Sequence, residues 1–73
     1  NADDQLATSI KKLEDSIDQL IKIVRKFEES VKKLQKHGVD QHHVEILRKI
    51  VEIFRQHIEK LKKHLEKLRY TSS

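Results

Sequence analysis

The chain has 73 residues, with 38% charged and 36% hydrophobic side chains and a net charge of +4 at pH 7. It has one Gly and no Pro, Cys, Met or Trp, which excludes a disulfide framework, a thiolate metal site, a cysteine nucleophile and a turn-rich all-β fold. No apolar run approaches a membrane span of about 18 residues, and no signal-peptide core is visible. The composition fixes no compartment. What remains is one charged, helix-rich domain, too short to bury a large core alone and without staples, so partners are expected.

Strong helix formers dominate the first half of the chain, with Ile and Val placed periodically. The spacing predicts a helix over about 4–37, opened by the acidic pair Asp3-Asp4, whose charges suit a helix N-terminus. Its apolar residues are Leu6, Ile10, Leu13, Ile17, Leu20, Val24, Phe27, Val31 and Leu34. The steps alternate four and three without a fault, so they form a heptad seam. Its a sites are β-branched and its d sites are Leu or Phe.

A loop over 38–39 follows. Gly38 suits the left-handed residue after a helix C-terminus, and Asp40 suits the next N-cap. Val39 and Val44 stand at the two ends of a hydrophobic staple, and Val39 is placed to fold back onto Leu34.

A second helix is expected over about 40–70, with Thr71, Ser72 and Ser73 fraying. Its seam is Val44, Leu47, Val51, Phe54, Ile58, Leu61, Leu65 and Leu68. Glu45, Glu52, Glu59 and Glu66 are each followed three residues later by Arg48, Arg55, Lys62 or Arg69, the pattern of ion pairs on a solvated face. Ile21, Ile23, Ile46, Ile50 and Ile53 widen the apolar stripes beyond one seam. The fold class is therefore all-α: two long antiparallel helices in a hairpin that assembles into a coiled-coil-like bundle of four or six helices.

One heptad position breaks the apolar rule. Position g reads Ser9, Ser16, Ile23, Ser30 in the first helix and His43, Ile50, His57, His64 in the second. It flanks the seam, so these side chains are expected to be at least half buried. In an antiparallel hairpin, positions whose numbers total 73 match every His with a Ser and Ile23 with Ile50. A total of 80 sets Ile23 against His57 and Ser30 against Ile50. A turn symmetric about Gly38 gives about 76, and a partner on another chain serves equally. A neutral imidazole offers one donor and one acceptor, and a hydroxyl serves both ways, so alternating His and Ser satisfy each other in a dry core. A protonated imidazole loses the acceptor and must be desolvated, so burial opposes the charged form and makes the layer acid-sensitive.

Blander readings stand beside this one. The histidines also fit a tolerated rim, and His37 and His42 read as solvated. His57 and His64 lie about 10 Å apart along one helix, too far for one metal ion unless a symmetry axis gathers copies. No metal or other cofactor is expected. The Lys pairs Lys11-Lys12, Lys32-Lys33 and Lys62-Lys63 are interleaved with acids and lack neighbouring aromatics, so no nucleic-acid partner is expected. Nothing resembles an enzyme site or a pocket for a small-molecule substrate.

Two idealised helices, a short His37-Gly38-Val39-Asp40 loop, strict heptads and periodic His and Ser resemble the de novo designed helical-hairpin homo-oligomers with buried histidine hydrogen-bond networks. The resemblance covers nearly the whole chain. It implies a homo-oligomer, trimer preferred and dimer next, that comes apart at acidic pH, and for some members contact with lipid membranes afterwards. It implies that His43, His57 and His64 sense pH, with Ser9, Ser16 and Ser30 as companions and Ile23 and Ile50 as a dry layer. The alternative is a static oligomerisation module whose polar layers set partner specificity without switching.

Overall fold

The computed structural model describes residues 1–72. It is a rod of 56 × 15 × 12 Å made of two α-helices, α1 (Ala2–Lys36) and α2 (Gln41–Ser72), packed side by side. The all-α hairpin expected from the heptads is thus present. No helix among the described residues is long and apolar enough to cross a membrane.

α1 starts two residues earlier than its first acidic pair suggests. The Asn1 side chain accepts the Asp4 N–H at 3.0 Å, and the Asp4 carboxylate lies 3.4 Å from the terminal amine, closing a reciprocal capping box. The helix stops at Lys36 because His37, Gly38 and Val39 turn the chain back. The Val39 N–H reaches the Leu34 carbonyl at 3.1 Å and the Gly38 N–H reaches the Gln35 carbonyl at 3.2 Å. Those two bonds make a Schellman motif, and it needs a left-handed residue at Gly38, where φ is +78°. α2 then starts at Gln41, with the Asp40 carboxylate accepting the His42 N–H at 3.1 Å. Its helical geometry runs through Ser72, past the fraying expected at Thr71, whose hydroxyl bonds back to the Lys67 carbonyl at 2.8 Å. Ser73 lies outside the described residues.

The core is one line of aliphatic side chains. Ile10, Ile17 and Val24 on α1 form one cluster with Val51, Ile58 and Leu65 on α2, and Val31 and Val44 are buried near the turn; these eight are the buried residues among those described. All are a sites, seven residues apart. The d sites Leu6, Leu13, Leu20, Phe27 and Leu61 pack against this line while half exposed. Leu34, Phe54 and Leu68 are open to water.

Two substitutions measure these features. Ile58→Ala should lower unfolding free energy by about 2–4 kcal/mol, because it removes buried methylenes and leaves a void between the helices. Gly38→Ala should cost about 1 kcal/mol. A Cβ there meets nothing within 4 Å, so the cost is backbone strain alone. Denaturant titration of the three chains reads both values.

Candidate functional site

Successive residues turn about 100° around a helix. With a facing the partner helix, e lies about 40° to one side, d about 60° to the other, and g about 120° away. The antiparallel arrangement puts both e flanks on one side of the hairpin and both d/g flanks on the other.

The e side is a cross-helix ladder. Arg69 reaches Glu14 at 3.0 Å, Arg55 pairs with Glu28, and Arg48 donates to the side-chain amide oxygen of Gln35. One rung differs: Ile21 stands where an acid would face Lys62. Ile21 packs against the core, and Lys62 turns along its own helix to Glu59 at 3.3 Å. The expectation of ion pairs along α2 is met by Glu59–Lys62, whereas Arg55 and Arg69 also reach across the seam. The hydrogen bond and charge of Glu28 hold the Arg55 guanidinium above its usual range, and Asp15 does the same for Lys11. The effect on each base is lost in strong alkali, where the base itself gives up its proton.

A groove of about 610 Å³ runs along the e side, floored by Ile21, Val24 and Ile58 and rimmed by Glu28, Arg55, Glu59 and Lys62 among others. It contains no His or Ser. Among the described residues, no group of three or more His, Cys, Asp or Glu is placed to hold a metal ion.

The g side carries the residues singled out from the sequence. Ser9, Ser16, Ser30, His43, His57 and His64 are all exposed in the hairpin, as are Ile23 at 61% and Ile50 at 37%. The expectation of at least half burial is not met by a single chain, because the hairpin closes on a and e, and g points away from that seam. The same side bears Leu34, Ile46, Ile53, Phe54 and Leu68, large apolar groups open to water. The Ser and His residues therefore sit within the apolar face that the hairpin leaves uncovered.

In the hairpin no Ser–His pair of the register that totals 73 is joined by a hydrogen bond among the described residues. The helix ends Lys36 and Gln41 total 77, and the cross-helix e pairs total 83. A seam with a level with d totals 78 throughout, from Leu34 with Val44 to Ile10 with Leu68, and falls between those bounds. Positions totalling 73 are then about five residues, or about 7.5 Å, out of level. The nearer register totals 80, with Ser16 by His64, Ile23 by His57 and Ser30 by Ile50. No hydrogen bond among the described residues joins a Ser of α1 to a His of α2. Ser30 instead donates to the Lys26 carbonyl at 3.1 Å, and the His43 Nδ1 lies 3.4 Å from the Asp40 carboxylate.

The cross-helix e ladder is the feature that the sequence reading did not anticipate. The signal was present: Glu14, Ile21, Glu28 and Gln35 recur every seven residues opposite Arg48, Arg55, Lys62 and Arg69.

Comparison of the chain with protein-family models, with curated proteins and with solved structures gave no match.

Because the ladder is solvent-exposed, its energy should be small. A double-mutant cycle on Glu28→Ala and Arg55→Ala, read by denaturant unfolding, should give a coupling below about 1 kcal/mol that shrinks further in high salt.

Proposed function

We propose that this chain is the subunit of a self-assembling helical bundle, a homo-oligomer of hairpins with the trimer preferred over the dimer, whose assembly is released by acid. One observation carries the reading. The d/g side of the hairpin exposes Ile23, Leu34, Ile46, Ile50, Ile53, Phe54 and Leu68, large apolar groups of the kind that mark an association surface where they share a face. A second copy laid on that face buries those groups, together with His43, His57, His64, Ser9, Ser16 and Ser30. The resemblance to designed histidine-network bundles points the same way. The out-of-level register within one hairpin favours Ser–His partners on different chains.

The sign of the response follows from linkage. Neutral imidazoles buried between copies refuse protons that the separated chains accept. Assembly is then unaffected well above about pH 6.5 and weakens as the pH falls below it. Each refused proton costs about 1.4 kcal/mol per pH unit, and nine histidines in a trimer give about 12 kcal/mol per unit. Acid-released chains would present an apolar face flanked by added positive charge, the pattern suited to an anionic bilayer.

A static module is the second reading. Ser30 already has a backbone partner and His43 an on-chain carboxylate, so neither needs a second copy to be satisfied.

Molar mass by light scattering decides between them. The expected result is an oligomer at pH 7.5 and a single chain at pH 4.5. The triple replacement of His43, His57 and His64 by Asn should keep the oligomer at both pH values. A monomer at pH 7.5 would exclude assembly, and an oligomer unchanged at pH 4.5 would leave the static module.

A further inference from the structure

We infer that histidine protonation acts only on the contact between copies and leaves each hairpin closed, so that acid first releases a folded hairpin and opens it only at a lower pH. The first half of this sequence of events rests on the proposed assembly; the second half does not.

The argument begins with what the seam lacks. The eight buried residues are all aliphatic, and no polar or charged residue is buried. None of the five histidines belongs to that line. His37 caps the end of α1, His42 lies in the first turn of α2, and His43, His57 and His64 are on the open g flank. All five are exposed in the hairpin, so an added proton is met by water rather than by the core.

The charged groups around them agree. Asp40 lies beside His43, and its carboxylate attracts a protonated imidazole; the His42 ring lies 6.2 Å from the His43 ring. His57 and His64 form no ion pair with either helix among the described residues. On their own helix Lys60 is three or four residues from each, and Lys67 is three from His64. On α1 the positions nearest in level on that flank are Lys12, Ser16, Gln19 and Ile23, none of them acidic. Protonation there adds mild repulsion through solvent and breaks no contact within the hairpin.

The charged pairs that cross from α1 to α2 involve no histidine. Glu14 with Arg69 and Glu28 with Arg55 use carboxylates on the e flank, and the Asp40 cap starts α2. Carboxylates take up protons at a lower pH than imidazoles do. The third rung, Gln35 with Arg48, has no acid to protonate.

The chain has no cysteine, so a spin-labelled Lys12→Cys, Lys67→Cys pair reports hairpin closure uniquely. Electron–electron distances are measured at pH 7.5, 5.0 and 2.5 with a tenfold excess of unlabelled chain, alongside light scattering and far-ultraviolet circular dichroism. The expected result at pH 5.0 is a single-chain mass, at least three quarters of the neutral helix signal, and an unchanged short inter-spin distance. Loss of more than a quarter of the helix signal, or a distance distribution spreading to longer values at pH 5.0, would overturn the inference. If the chain proves monomeric at pH 7.5, the assembly proposal fails, and the same distance measurement still decides whether the histidines leave the hairpin closed. In a second variant, Glu14→Gln with Glu28→Gln, denaturant unfolding at pH 7.5 should show a weaker hairpin, and the pH of the mass transition should stay within 0.3 units. A mass transition displaced further would show that the two events share their groups.

Discussion

Everything in this hairpin depends on a single line of aliphatic contacts. Four a residues on each helix, seven apart, line the seam and are the only buried side chains among the described residues. Because the rod is two helices thick, no second layer exists to hide anything else. The e flank can therefore hold only exposed ion pairs, which help to fix register but contribute little energy. The d and g flanks are left facing outward with their apolar groups in water. That imbalance leaves the apolar groups of one face without a cover inside the chain.

The division of labour between flanks follows from the wheel. With a inward, e and d/g fall on opposite sides, so the chain keeps its charged clasp and its sticky face apart. The same separation places the histidines on the uncovered apolar flank and not in the fold's own core. A chain with His at a sites would couple the two, because every proton refused by the assembly would also be refused by the hairpin.

Much of this was legible in the sequence. The uninterrupted alternation of three and four from Leu6 to Leu34 fixed helix, length and buried face, and Gly38 with Asp40 fixed the turn, because those signals are local. The heptad gave d and g as neighbours of a, but not which flank one partner helix would use. That choice is a matter of three dimensions, and it made Ser9, Ser16 and Ser30 exposed rather than half buried. The arginines of α2 were equally ambiguous. Arg55 is three residues from Glu52 and across the seam from Glu28, and sequence distance alone favoured the nearer acid. The start of α1 was set by Asn1, a weaker signal than the acids that follow it.

The turn at Gly38 also shapes how the chain reaches its fold. Leu34 and Val44, level across the seam beside the turn, are separated by ten residues, whereas Ile10 and Leu68 at the open end are separated by fifty-eight. Closing the small loop first costs the least entropy, and each later layer adds only a short further segment to an already closed one. Such a molecule zips from the turn outward and frays from its free ends inward. Val44, wholly buried beside the turn, sits at the smallest of these loops, and the left-handed glycine is what lets the chain reverse there.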